Sequence, residues 1–128
     1  MANPIWYSID QNLATQEHNP VSLEEALTIA RRYFANVRPS YESGEEGLAG
    51  TMFGFSRSNN EFVEIGVNGP NEGSVKVELP VPGVSWFRRL LGGSVFQHEE
   101  TVSSQAVEVR VREFFALSAE DLRVRLKS

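Results

Sequence analysis

Alternating apolar and polar residues between positions 51 and 82 form the clearest pattern in this chain. Three short alternating runs are separated by segments 58–60 and 68–73, which are rich in Asn, Gly and Ser and predict turns of an antiparallel β-meander. Alternate side chains on a strand point to opposite faces. The apolar residues that share one parity are Phe53, Phe55, Val63, Ile65, Val67, Val75, Val77, Leu79 and Val81. The pattern therefore predicts one covered face and one hydrated face.

Helical spacing predicts a helix that begins after Ser22. Ser22 and Glu25 have the spacing of a capping box, in which each side chain bonds the backbone amide of the other residue. The apolar stripe that follows consists of Leu23, Ala26, Leu27, Ala30, Phe34 and Val37. Pro39 is predicted to end the helix, which places Arg31 and Arg32 near its C-terminus, where cations suit the helix dipole.

The segments on either side complete the predicted secondary structure. Residues 5–9 alternate and predict a short first strand, followed by a polar connector over residues 10–20. Residues 95–102 predict another strand. An apolar stripe from residue 104 favours a helix, but β-branched side chains leave a strand open for residues 104–111. Ser118 predicts the N-cap of a short last helix.

These elements predict an α+β fold in the order β-α-β-β-β-β-α. Helices are expected to pack on one face of a single antiparallel sheet of four to five strands. The first strand can pair at either edge of that sheet. The length of 128 residues predicts a single domain, 1–128.

An acidic balance restricts the partners of this chain. Seventeen Asp and Glu against twelve Lys and Arg give a net charge of −5, which disfavours nucleic acid as a partner and favours a basic protein or no partner. There are no cysteines, so no disulfide or thiolate metal site is expected.

Residues 1–20 have neither the basic start nor the apolar run of a secretory signal, and no stretch is apolar enough to predict a membrane span. We expect a cytoplasmic protein.

His98 and Glu100 are the main candidates for catalysis. Alternation places them on the same side of a strand, where a carboxylate raises the pKa of a histidine and can form an acid–base pair with it. A polar strand face explains the same pattern and is favoured here. No nucleophile, phosphate-loop or dinucleotide motif is present, and no second histidine has metal-ligand spacing. No metal site or cofactor is therefore predicted.

An acidic segment is the first candidate for partner binding. Tyr41, Glu42, Glu45 and Glu46 lie in a predicted loop over residues 40–50. Charge runs are usually hydrated loops. An aromatic side chain among carboxylates also suits a basic partner, since the tyrosine supplies contact area and the acids steer the encounter.

The irregular stretch 83–93 is the second candidate. It contains Trp86 and Arg88 among other large apolar and basic residues. Large aromatics most often complete a core edge. If Trp86 is exposed, tryptophan beside arginine is the composition of an interface hot spot, with Trp86 as the anchor.

Three segments resemble one protein class. Phe62-Val63-Glu64-Ile65, Val75-Lys76-Val77-Glu78 and Glu113-Phe114-Phe115, in a small acidic α+β chain, resemble the standalone immunity proteins of bacterial polymorphic toxin systems. The resemblance implies a tight inhibitory complex with a toxin domain, often a basic nuclease, and no catalysis by the chain itself. A monomer fits this class. The alternatives are an acidic chaperone for a secreted effector, which is usually a homodimer, and a small enzyme with a site around His98 and Glu100.

Overall fold

The computed structural model describes residues 3–10, 12–42, 51–58, 60–80 and 95–127, and for residues 37–42 and 51 it describes the backbone only. Val81 lies outside the described residues. Six strands and three helices are described in chain order. They are β1 (Ile5–Ile9), β2 (Thr15–Pro20), α1 (Leu23–Glu42), β3 (Thr51–Ser58), β4 (Glu61–Gly69), β5 (Glu72–Pro80), β6 (Val95–Ser103), α2 (Ser104–Ala116) and α3 (Ala119–Lys127).

The strands form one antiparallel sheet in the order β2-β1-β3-β4-β5-β6. The predicted α+β class and the meander of β3, β4 and β5 are confirmed. The first strand, which had two possible edges, pairs with β3. The second meander turn is shorter than predicted and comprises only Pro70 and Asn71, since β4 continues to Gly69.

The predicted strand count and element order are wrong in detail. The described order is β-β-α-β-β-β-β-α-α, because residues 15–20 form a strand. The short last helix after Ser118 was predicted correctly, and Asp121 N donates to Ser118 Oγ at 3.2 Å at its start, but the predicted element order omitted this helix. β2 shows no apolar alternation and ends in a proline, so its sequence resembles a connector. β2 is a strand because it pairs with β1 in an antiparallel hairpin. In the turn of this hairpin, Asp10 Oδ1 accepts hydrogen bonds from the amides of Asn12 at 2.8 Å and Ala14 at 2.9 Å.

Helix α1 begins as predicted and ends later than predicted. Ser22 N donates to Glu25 Oε1 at 3.0 Å and Glu25 N donates to Ser22 Oγ at 3.2 Å, which completes the capping box. The helix continues past Pro39 to Glu42. A proline removes one backbone hydrogen bond, but the residues after it can still adopt helical dihedral angles. Arg31 therefore lies in the middle of α1, where it pairs with Glu108 of α2 at 2.8 Å.

The core lies between the three helices and one face of the sheet. The predicted strand positions that the structure describes are all at most 1% exposed, and they form one cluster with the buried residues of α1, α2 and α3. The strand members are Phe53, Phe55, Val63, Ile65, Val67, Val75, Val77 and Leu79. The parity of the alternation therefore identified the covered face correctly.

Residues 104–111 form a helix. Ser103 Oγ accepts a hydrogen bond from Ala106 N at 3.2 Å, which caps α2. Val107 and Val111 are fully buried one turn apart, whereas Val109 is 48% exposed. This helical burial pattern outweighs the β-branched composition, because propensity is a weak preference that packing overrides.

Candidate protein-binding surface

The second face of the sheet is not covered by any of the described helices. Strand residues that lie opposite each other in adjacent strands share a face. One row of such partners crosses the whole sheet on the side opposite the core. It contains Glu17, Tyr7, Gly54, Glu64, Lys76 and Glu99, one from each of β2, β1, β3, β4, β5 and β6. We call this side the uncovered face.

The Tyr7 ring packs over Gly54 on the uncovered face because Gly54 has no side chain. A Cβ built on Gly54 would come within 2.4 Å of the Tyr7 ring, so only glycine admits the ring at this position. The Tyr7 hydroxyl donates a hydrogen bond to Glu64 Oε1 at 3.0 Å. Burial raises the pKa of Tyr7, and the charge of Glu64 raises that pKa further, so the hydroxyl stays protonated and keeps the carboxylate in place.

A depression of about 670 Å³ lies beside this pair. Gly66 forms part of its lining, with Met52 and Ser74 on either side in the neighbouring strands. A Cβ on Gly66 would lie 3.9 Å from Met52 Cγ and from Ser74 Cβ, which is ordinary contact distance. The space above Gly66 is therefore open, whereas the space above Gly54 is filled.

The uncovered face is acidic. Among the described residues, the acidic strand side chains on this face outnumber the basic ones. They are Glu17, Glu64, Glu72, Glu78 and Glu99, with Lys76 as the cation. Lys76 forms no ion pair within 4.0 Å with any described residue, although Glu64 and Glu99 are its register partners. Carboxylates in this arrangement attract a cationic partner.

The binding residues predicted from sequence are not brought together by the described structure. Glu45, Glu46, Trp86 and Arg88 lie outside the described residues. Tyr41 and Glu42 belong to the last turn of α1 and not to a loop, because the helix passes Pro39, and their side chains are outside the description. The partner-binding role of these six residues stays a prediction.

His98 and Glu100 do lie together, on the core side of the edge strand β6. His98 Nε2 is 3.2 Å from Glu100 Oε2. Glu100 also accepts hydrogen bonds from Arg110 of α2, and Arg110 Nη1 donates to Glu113 Oε1 at 2.7 Å. Glu113 Oε2 in turn accepts from Arg125 of α3 at 2.6 Å.

This network attaches α2 and α3 to the sheet edge. The Arg110 guanidinium lowers the pKa of Glu100, so the carboxylate stays ionised and its oxygens are occupied by a permanent cation. A general base needs a carboxylate that can accept a proton near neutral pH. The geometry therefore favours a structural role, and not acid–base catalysis, for His98 and Glu100. Charged side chains that point inward from an edge strand also protect it from pairing with other chains.

Replacing Glu100 with glutamine is expected to lower the free energy of unfolding by about 1–2 kcal/mol at neutral pH, since charge-assisted hydrogen bonds to Arg110 are lost. The folded-state pKa of Glu100 is lowered, so its stabilisation is complete above the ordinary value of 4.5 and disappears as the pH falls through the folded-state value. Urea unfolding of both proteins across this range measures the difference. Glu99→Gln, on the other side of the same strand, is the control, and an equal loss in both variants would contradict the assignment.

Arg57 is a residue that sequence analysis missed. Its Nη1 donates to the carbonyl oxygens of Phe114 at 2.8 Å and Leu117 at 2.6 Å, where α2 ends, and its Nη2 donates to Glu61 at 2.8 Å. The guanidinium also lies 4.4 Å from the centre of the Phe114 ring. A cation at a helix C-terminus satisfies carbonyl groups that the helix leaves without partners. No local pattern signals this, because Arg57 and Leu117 are far apart in sequence.

The opposite sheet edge has an aromatic and polar cluster. His18 of β2 stacks on Trp6 with ring centres 3.8 Å apart, and its Nε2 lies 2.9 Å from Ser8 Oγ. The polar connector predicted over residues 10–20 is therefore wrong at His18, because β2 pairs with β1. Within the described part of the chain, no carboxylate oxygen lies within 4.0 Å of a ring nitrogen of His18.

Comparisons with protein family models, with curated proteins and with solved structures find no match to this chain. Among the residues that the structure describes, no group of three or more His, Asp or Glu side chains could hold a metal ion. No helix in the same residues has both the length and the apolar character needed to cross a membrane.

Proposed function

We propose that this chain is a protein-binding inhibitor: an immunity protein that neutralises a basic toxin domain of a bacterial polymorphic toxin system without catalysis of its own. The uncovered face carries this proposal. A broad sheet surface whose described strands carry several glutamates and one lysine is complementary to a basic protein, and the net charge of −5 extends the same attraction over longer distances.

The physical basis of inhibition is electrostatic complementarity. Carboxylates at the margin of an interface raise the association rate, and salt screens them over a Debye length of roughly 8 Å at physiological ionic strength. A rigid sheet can present such charges without ordering a flexible segment, which limits the entropy lost on binding. We expect a monomer that acts in the cytoplasm, where it protects the cell that makes the toxin.

The proposal is tested with a toxin whose gene lies next to the gene for this chain. The toxin domain is expressed in a bacterial host, and growth is measured with and without this chain. We expect growth arrest by the toxin alone, rescue by co-expression, and a complex whose association slows as salt increases. An unrelated toxin that is not neutralised is the control.

Two results would contradict the proposal. If the chain leaves the toxin active, it is not an immunity protein. If the purified chain is an obligate dimer that binds a secreted effector without suppressing toxicity, the chaperone alternative is correct.

A further inference from the structure

We propose that an arginine side chain of the basic partner enters the depression above Gly66, whose lining includes Glu64 and Glu99; this inference rests on the proposed function and assigns its contact site. The described helices α1, α2 and α3 all contribute to the core on the other face of the sheet. The depression therefore opens on the side of the sheet that these helices do not cover.

The depression has room for an arginine side chain. Its volume of about 670 Å³ lies within the range of roughly 300–1,000 Å³ in which proteins bind small ligands. Gly66 leaves space between Met52 and Ser74, and the nearest side-chain atoms to a Cβ placed there would be 3.9 Å away. The Met52 side chain provides an apolar wall for the methylene groups of an arginine, which bury their stem while the charged end stays polar.

The chemistry of the depression selects a cation. Glu64 and Glu99 contribute carboxylates to the lining, and Lys76 contributes one ammonium group. Ser74, Thr101 and Asn68 contribute further polar atoms. Asn68 Nδ2 donates to Ser74 Oγ at 2.8 Å, and the amide oxygen of Asn68 remains an acceptor. An anion would meet two carboxylates, and an apolar group would desolvate them without compensation. A guanidinium offers five donors to these acceptors.

Glu64 is positioned for this role. The Tyr7 hydroxyl occupies one site on Oε1, and an ionised carboxylate has about four acceptor sites, so further donors can bind. Because the side chain is already fixed by Tyr7, less conformational entropy is lost when a ligand binds. Lys76 lies between Glu64 and Glu99 in register and opposes a cationic ligand, so its removal should strengthen binding.

The experiment uses the full chain labelled with nitrogen-15 and a short blocked peptide with one central arginine. We expect saturable amide shifts at Gly66, Ser74 and Thr101. The matched peptide with citrulline, which keeps the planar group but has no charge, should cause none. Glu64→Gln and Glu99→Gln should each weaken binding by about two- to fivefold, as solvent-accessible ion pairs do. Lys76→Gln should strengthen it by a similar factor.

Two further variants keep the test specific. Gly66→Leu should abolish the shifts by filling the depression, while thermal melting shows whether the variant is folded. If Gly66→Leu is unfolded, the affinities of Glu64→Gln, Glu99→Gln and Lys76→Gln for the arginine peptide decide whether the site exists. Glu120→Gln, at the start of α3, should bind the arginine peptide as the original chain does.

Any of three results would overturn the site. The citrulline peptide could cause amide shifts equal to those of the arginine peptide, or the shifts could be confined to other surfaces. The third result is weaker binding of the arginine peptide by Lys76→Gln. The titration involves no toxin, so its result is separate from the test of neutralisation. A toxin that is neutralised while the peptide leaves Gly66 unchanged would reject the arginine site alone.

Discussion

Replacing Ile65 with alanine is expected to lower the free energy of unfolding by about 2–5 kcal/mol, as large-to-small substitutions in protein cores do. Ile65 lies in the inner strand β4, is 0% exposed, and has Phe53 and Val75 as cross-strand partners on the covered face. The lost methyl groups leave a cavity that neighbours in adjacent strands cannot fill without shifting the backbone.

Urea or thermal unfolding measures this loss, with Lys76→Ala as the control. Lys76 lies on the uncovered face of the neighbouring strand, and surface substitutions usually change stability by less than about 0.5 kcal/mol. Val77→Ala, whose side chain is 1% exposed on the covered face, should behave like Ile65→Ala. Similar losses in Lys76→Ala and Ile65→Ala would show that the two faces have been assigned incorrectly.

Replacing Gly54 with alanine is the second substitution with a large expected effect. The new Cβ would lie 2.4 Å from the Tyr7 ring and 2.6 Å from the carbonyl oxygen of Val63. Tyr7 could rotate away, but the carbonyl belongs to the backbone of the adjacent strand and cannot move alone. Overpacking typically costs about 1–3 kcal/mol, and the backbone contact places this variant at the upper end of that range. Unfolding by urea measures the cost.

Gly66→Ala is the matched control for Gly54→Ala. Both glycines lie on the uncovered face in adjacent strands, but a Cβ on Gly66 meets its nearest neighbours at 3.9 Å. Its stability should stay equal or rise by about 0.4–1 kcal/mol, because alanine reduces the freedom of the unfolded chain. Losses of the same size in both variants would mean that Tyr7 does not lie over Gly54.

Gly54→Ala also tests how Glu64 is positioned. If the Tyr7 ring is displaced, its hydroxyl no longer donates to Glu64, and the carboxylate becomes more mobile. The arginine site proposed above should then weaken even in molecules that remain folded. Gly54→Ala should therefore weaken binding of the arginine peptide above Gly66 as well as lower the stability of the protein.

Local patterns in the sequence determined the central elements of this protein. Strict alternation in β3, β4 and β5 identified both the strands and their covered face, because one buried face requires one parity. Ser22 and Glu25 located the start of α1, because capping depends on residues within one turn. These signals need no partner from elsewhere in the chain.

Tertiary structure decided the face on which Tyr7 lies and the formation of β2, which the alternation of apolar residues does not predict. Ile5, Tyr7 and Ile9 alternate like core residues, yet register places Tyr7 beside Gly54 on the uncovered face, while Trp6 packs against the core. β2 has a polar sequence and becomes a strand only because β1 supplies its hydrogen bonds.

The candidate binding site was decided by the same long-range pairing. The sequence indicated an acidic protein that suits a basic partner, but it pointed to the 41–46 segment and to Trp86. Glu64 and Glu99 are 35 positions apart in the sequence, and only the register of β4, β5 and β6 places them on either side of Lys76. Hydrogen bonding between strands fixes this register, and the sequence of any single strand does not contain it.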